Sequence, residues 1–597
     1  MAREPHSFKF LEDKAIIHSR GRICETAEEL LASKPFKKFL RAVLQRLSNR
    51  GSRFMHILGS TTAPSSEIGE DDINLLIQTL QHLSKLDRNM IPSILPGSEV
   101  FFQDPDLLND FVEYLYNAWR DYDRFVIISG FQSDQLDKRP YRTFNETVEQ
   151  LTHLVRGTYR DIQENITRQH PQVYRQAHAG ADIATIVSPS DNTSSWIKEA
   201  PYKKLQQIPL VRQVLLYPPL VLDPPMNRRT GRFQRADDNP LHLIDPADDE
   251  WICYPAKVGE LLILVYIHEK FLELGLSLCN LFKLASDKDL EQQPDAIYMF
   301  GVPVDALDRF GKLPTVFYDD AKNEMLVGAI PNADRFGYFG YLKKMMLTLH
   351  NVKMIKMGRL PFHGALVKIR LNNRNHTVLL IGDSGAGKSE TLEAFRVLSE
   401  DRLQDMIIIA DDMGAIDIAD GNVLGYGTEV GAFIRLDDLQ PGYEFGQMGR
   451  AIFMSPSRTN ARLLLPVTTY PDVVQGNKID FIFYANNYEK VDEDHPIIER
   501  FENPQEAIEV FEQGKVMSKG TTTSSGMVRS YFANVFGPPQ YRALHEQIAQ
   551  RYFNHFFARD IFVGQIRTRL GIPGWETKGP EEAAKALIGL MANGRRS

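Results

Sequence analysis

An α/β fold with an additional, mainly helical N-terminal region is what this sequence predicts, on three observations. An apolar run at 378–381 leads straight into Gly382-Asp383-Ser384-Gly385-Ala386-Gly387-Lys388-Ser389, and 390–398 then has helical composition. Through the C-terminal half, short β-prone runs at 364–369, 377–381, 407–410, 463–467 and 479–484 alternate with turn-rich connections. Before residue 120, by contrast, apolar residues recur at helical spacing.

In chain order, Leu30, Leu31, Phe36, Phe39, Leu40, Val43, Leu44 and Leu47 set out helical periodicity over 25–48, and similar patterns occupy 73–83 and 107–119. These N-terminal helices carry no visible chemistry and are candidates for a cap or a subunit contact. From 188 to 250 the composition turns to Pro, Arg, Asn and Asp, and Pro218, Pro224 and Pro225 break regular structure. Inside that stretch the basic run Asn227-Arg228-Arg229-Thr230-Gly231-Arg232 suits an anion-binding loop, or simply a solvated charge run. A hairpin is predicted from 315–318 and 325–327, then helices over 341–352, 541–557 and 580–590. The resulting division is a helical region at 1–185, a mixed α/β substrate-side domain at 186–345, and a phosphate-loop domain at 346–597.

Composition narrows the partners. The chain has 597 residues, too many for one ordinary core, with 43% hydrophobic and 24% charged residues and a net charge of -8. That balance gives no reason to expect nucleic acid or anionic lipid as a partner. Cys24, Cys253 and Cys279 share no metal-binding spacing and cannot build a disulfide framework, which suggests a reduced, cytoplasmic setting. The start of the chain lacks the apolar stretch of a secretory signal, and the most apolar window, 261–266, is too short to span a bilayer.

The segment 382–389 has the Walker A pattern. Its glycines let backbone N–H groups turn inward around phosphates, the following helix adds its positive end, Lys388 would reach the β- and γ-phosphates, and the Ser389 hydroxyl would meet a divalent cation. Downstream, Met406-Ile407-Ile408-Ile409-Ala410-Asp411-Asp412 ends an apolar strand in two carboxylates. Neighbouring residues on extended chain face opposite sides, so one can hold a metal while the other orients a nucleophile.

With these residues in view, the sequence resembles the phosphoenolpyruvate carboxykinase superfamily. Tyr338-Phe339-Gly340-Tyr341-Leu342-Lys343-Lys344 resembles the Tyr-x-Gly-x-x-Lys-Lys segment of ATP-dependent carboxykinases, and Pro361-Phe362-His363-Gly364 follows where that family has a metal histidine. The resemblance implies Mn²⁺ or Mg²⁺ held by Lys344, His363, Ser389 and Asp412, with Tyr338 lining the carboxyl-substrate site and Lys343 positioning phosphate or substrate. Glu429-Val430-Gly431-Ala432-Phe433-Ile434-Arg435 is similar to a Glu-Gly-Gly-x-Tyr-x-Lys segment, so Glu429 would support the metal and cofactor, with Arg435 in place of lysine. Asn460-Ala461-Arg462-Leu463-Leu464-Leu465-Pro466-Val467 is similar to Asn-Thr-Arg-x-x-Tyr-Pro-Ile, which implies that Arg462 bridges the transferring phosphoryl group. Thr230-Gly231-Arg232 makes Arg232 a candidate for substrate anion binding, although the Ser-Pro-Lys-Asp that follows in the family is missing.

The matches run from 338 to 467 and leave 1–200 unplaced. The loop's Ser-Gly-x-Gly-Lys-Ser-Glu form, ending at Glu390, is that of HPr kinase/phosphorylase, in which the residue at Asp411 is the general base. The activity implied is ATP plus oxaloacetate to phosphoenolpyruvate, ADP and CO2, with GTP or pyrophosphate open as donors. Two other readings stay open: an ATP-dependent kinase acting on a small-molecule or protein hydroxyl, and a nucleotide-binding regulatory protein without turnover. The partner expected is a small dicarboxylate or phosphorylated small-molecule substrate, with neither nucleic acid nor membrane.

Overall fold

The computed structural model describes residues 7–19, 24–58, 68–129, 139–170, 177–189, 200–229, 233–247, 249–399, 403–439, 446–519 and 525–593. The chain separates into two compact units, Met1–Pro189 with Leu210–Tyr217, and Ser190–Pro209 with Pro218–Ser597. The stretch 186–345, expected as a domain of its own, therefore falls mainly within the second unit.

The first unit is helical where periodicity predicts it. Helices span Ala27–Ala32, Lys34–Asn49, Glu70–Leu83 and Pro105–Arg120, followed by Arg139–Thr167. Ser33 divides the first two: its hydroxyl accepts from the Phe36 N–H at 3.2 Å, and Asp104 does the same for Leu107 at 3.0 Å. Leu40, Val43 and Leu44 pack with Ile73, Leu76, Leu80 and Phe111 in one core. The unit is nonetheless α/β. Ser7–Phe10, Lys14–Ser19, Asp123–Ser129, Ile183–Ser188 and Leu210–Leu216 lie side by side in that order. The two central junctions are parallel, so their strands depend on partners more than 50 residues away and not on a local turn.

In the second unit, one series of paired strands runs Trp251–Val258, Leu261–His268, Ala296–Val302, Met325–Pro331 and Val316–Asp320. The predicted hairpin is its last pair, in antiparallel register. A second sheet has nine strands among the described residues; at its centre Leu360–Leu371 pairs antiparallel with Arg374–Ile381, which pairs parallel with Phe481–Asn486. Helices Lys388–Leu398 and Lys578–Asn593 cover one face through Leu392, Phe395, Ala583 and Leu587. Helix Phe339–Lys356 is buried on nearly every side, which places even its Lys343 in the interior. Among the described residues, no helix is long and apolar enough to cross a membrane.

Burial pushes two imidazoles of this unit down, His350 to about 4 and His545 to about 3. Both stay neutral in the folded chain but charge in the unfolded chain near pH 6.5. Their contribution is complete above that pH and declines as pH falls, by about 2 kcal/mol each at pH 5. Urea melts should therefore show a clear loss of stability between pH 7 and pH 5, and the loss should be smaller for His545→Gln.

Candidate active site

Strand Arg374–Ile381 delivers the chain into the loop, and helix Lys388–Leu398 begins at its end. The loop is tightly fitted. Gly387 has φ +90°, and a Cβ there would stand 2.5 Å from Thr568 Oγ1, whose hydroxyl donates to the Ala386 carbonyl at 2.7 Å. Asn487 Nδ2 donates to the Gly385 carbonyl at 2.9 Å. The Lys388 ammonium folds over the loop and donates to the carbonyls of Gly382 at 2.6 Å and Asp383 at 3.1 Å. Burial pushes its pKa down against the opposing pull of Asp383 and Asp412.

The neighbouring strand brings in the metal candidates through backbone pairing. The His363 carbonyl accepts from Gly382 N–H at 3.1 Å, and Gly364 N–H donates to the Asp412 carbonyl at 2.9 Å. One strand thus spaces the loop from the Asp411-Asp412 corner between strands Leu403–Ala410 and Met413–Ala419. His363 Nε2 lies 3.0 Å from Asp412 Oδ1, while Nδ1 lies 2.6 Å from the Ala533 carbonyl. Phe532, Ala533 and Asn534 all have positive φ, at 45°, 55° and 63°, in the left-handed region that costs non-glycine residues free energy. Asn534 Nδ2 and Ser530 Oγ each reach Asp383, at 3.4 Å, so the same turn contacts both the histidine and the loop.

Helix Phe339–Lys356 contributes two lysines in contrasting states. Lys343, 3% exposed, sits 2.8 Å from Asp412 and 3.1 Å from Glu429. Burial opposes its charge, but the two carboxylates outweigh burial and hold the ammonium above the usual lysine range. It therefore joins two acids, instead of standing open for phosphate or substrate as the sequence suggested. Lys344 stands 4.7 Å over the Phe536 ring; burial, then the Arg229 guanidinium, pushes it down to about 8 against the pull of Asp412.

The carboxylates divide likewise. Burial would raise Asp412, but Lys343 and His363 hold it well below the ordinary range. Asp411 is pushed up, by burial first, with Lys343 opposing and Asp412 adding. Glu429 is pushed up to about 8 because burial exceeds what Lys343 returns. Neither Glu429 oxygen has a hydrogen bond of good geometry among the described residues. A buried carboxylate left in that condition is suited to a cation brought alongside it.

Other predicted residues form a second group. Arg462 stacks over Phe433 at 5.3 Å and donates to Asn460 Oδ1 at 2.8 Å, and Phe433 also packs against Tyr338 and Phe339. Arg435 is the register partner of Arg462 across antiparallel strands Gly431–Arg435 and Arg462–Pro466. Phe433 links this group to the start of the lysine-bearing helix, whereas no hydrogen bond or ion pair ties Arg462 to the loop or to Asp412 among the described residues. Arg232 lies outside the described residues. Its near neighbour Arg229, not singled out from sequence, lies 5.4 Å from the Phe233 ring and 5.9 Å from that of Phe536. The basic run 227–232 was the signal for it; which arginine faces Lys344 was not encoded locally.

Among the described residues, no three His, Cys, Asp or Glu side chains are arranged to hold a metal ion. The donor chemistry nonetheless fits a divalent cation if non-acidic ligands are counted. Asp412 offers a hard carboxylate, His363 an imidazole, Lys344 an amine displaced toward its neutral form, and Ser389 a hydroxyl. No model of a known protein family matches the chain, and neither does any curated protein.

Removing Lys343 takes their shared cation from Asp412 and from buried Glu429. Lys343→Met should therefore cost about 3–5 kcal/mol in urea unfolding. The double variant with Glu429→Gln should recover part of that loss, because the buried carboxyl that Lys343 had offset is gone.

Proposed function

We propose that this chain is a phosphoenolpyruvate carboxykinase-like phosphotransferase, converting ATP and oxaloacetate to phosphoenolpyruvate, ADP and CO2. The observation that carries the reading is the contrast between consecutive lysines: Lys343 is locked as a cation on Asp412 and Glu429, and Lys344 is displaced to about 8 beside them. A kinase acting on a hydroxyl has no evident use for an amine ligand.

In this reading the loop amides and Lys388 hold the phosphates of ATP. Lys388 exchanges its present carbonyl partners for phosphate oxygens. Lys344, His363, Ser389 and Asp412 would hold a divalent cation, which would supply charge neutralisation for the triphosphate and the enolate. Arg229 and Tyr338 orient the dicarboxylate, and Arg462 meets the charge on the transferring phosphoryl group. Scission of the bond between C3 and the departing carboxylate releases CO2. The enolate oxygen then attacks the γ-phosphorus while the bond to ADP breaks. The aromatic surfaces of Phe433 and Phe536 keep the acceptor side dry, which limits phosphoryl loss to water.

Phosphorus NMR of the protein with Mn²⁺, ATP and oxaloacetate should show phosphoenolpyruvate and ADP appearing in equal amounts, with no phosphoenolpyruvate when oxaloacetate is omitted. Lys344→Ala should abolish the product signal, and Arg462→Ala should lower kcat about 100- to 1,000-fold. Failure to form phosphoenolpyruvate with ATP, GTP or pyrophosphate rejects the carboxykinase reading. Nucleotide binding is tested separately: Gly387→Ala should eliminate the rise in melting temperature given by Mg·ATP while leaving the melt of the free protein cooperative.

A further inference from the structure

Two residues that no local motif marks hold the phosphate loop from outside. Strand Arg374–Ile381 leads into the loop, Phe481–Asn486 pairs parallel with it, and Phe562–Arg567 pairs parallel with Phe481–Asn486. Asn486 and Arg567 are register partners, so the residues that follow them, Asn487 and Thr568, leave the sheet side by side at its carboxyl edge. Both are fully buried. Across 102 and 182 positions of sequence they hold two successive loop carbonyls, those of Gly385 and Ala386.

Hydrogen bonding fixes how each side chain points. Asn487 Oδ1 accepts the Met517 N–H at 2.8 Å, and Nδ2 donates to the carbonyls of Met517 at 2.8 Å and Gly385 at 2.9 Å. Both amide hydrogens are thereby used, and only one orientation of the amide satisfies all three partners. Thr568 is anchored through its own N–H on the Asn486 carbonyl at 2.8 Å, and its hydroxyl donates to the Ala386 carbonyl at 2.7 Å. The C=O and N–H of a trans peptide point in opposite directions. Asn487 thus keeps the Ala386 N–H turned inward, where it donates to the Asp383 carbonyl at 3.0 Å. Thr568 in the same way turns the Gly387 N–H to the opposite side of its peptide, where it has no partner among the described residues. Helix Lys388–Leu398 begins at the next residue, so this N–H belongs to the group of donors that a phosphate meets.

We propose that Thr568 is a positioning residue for phosphate binding: its hydroxyl, acting through the Ala386 carbonyl, aims the Gly387 N–H at a phosphate oxygen, while Asn487 holds the preceding peptide. This role rests on the nucleotide-binding reading above and is indifferent to which molecule accepts the phosphoryl group. Without the hydroxyl the Ala386 carbonyl is left buried with no donor. Its peptide is then driven to rotate toward another partner and carries the Gly387 N–H with it.

Isothermal titration of the full-length protein with Mg·ATP, and with Mg·pyrophosphate, which lacks base and sugar, measures the phosphate cradle. Thr568→Val should weaken both ligands by the same factor, about tenfold. Thr568→Ser, which restores the hydroxyl, should stay within about twofold of the unaltered protein. In ¹⁵N-glycine-labelled protein the Gly387 amide resonance, assigned by its loss in Gly387→Ala, should move downfield when Mg·pyrophosphate binds. That movement should persist in Thr568→Ser and shrink in ligand-saturated Thr568→Val.

Thermal melts establish that each variant is folded, and Thr568→Ala takes the place of Thr568→Val if the latter does not melt cooperatively. An unaltered protein that binds neither ligand overturns the nucleotide reading and the role of Thr568 with it. Three results overturn the role alone: affinity unmoved in the folded variant, equal weakening by Thr568→Ser, or a Gly387 amide that stays in place while the unaltered protein binds pyrophosphate.

Discussion

The ammonium of Lys343 is the constraint around which the second unit's site is arranged. A lysine 3% exposed in the middle of a buried helix cannot carry its charge there unless anions come to it. Asp412, at a corner between two strands, and Glu429, just beyond strand Asn422–Gly427, meet that demand from separate parts of the chain. Once the three are joined, the helix, the corner and the following segment share one origin. The placement of His363 beside Asp412 follows from the same corner, because Gly364 pairs with the Asp412 backbone.

Consecutive residues on a helix point about 100° apart, so adjacent lysines can inhabit different electrostatic surroundings. Lys343 points to two acids. Lys344 points to an aromatic ring that it shares with Arg229, and the proximity of that second cation helps drive it toward neutrality. The chemical division between a permanent cation and a displaceable proton therefore comes from helix geometry and from what packs on each side.

Much of this was legible where the determining interactions are local. The strand, glycine-rich loop and helix at 374–398 are adjacent in sequence, as are the hairpin Val316–Asp320 with Met325–Pro331 and the apolar strand ending in Asp411 and Asp412. Features set by distant segments were less accessible. The parallel strands of the first unit draw their pairing from remote residues, so the helical periodicity around them dominated the sequence signal. The Ala533 carbonyl that meets His363 is a backbone atom 170 positions away, visible to no side-chain pattern. The Lys343–Lys344 pair was visible in the sequence, but only packing decides which lysine the acids occupy.

The left-handed run at Phe532, Ala533 and Asn534 bears on how this sequence can drift. Glycine at 533 would relieve the steric cost of positive φ but give the unfolded chain more freedom, so the two effects partly cancel. A β-branched residue faces the steric cost with no such offset. Substitution paths through this position are consequently asymmetric: open toward glycine, closed toward branched residues. The backbone shape that meets the histidine can outlast turnover of the side chains that display it.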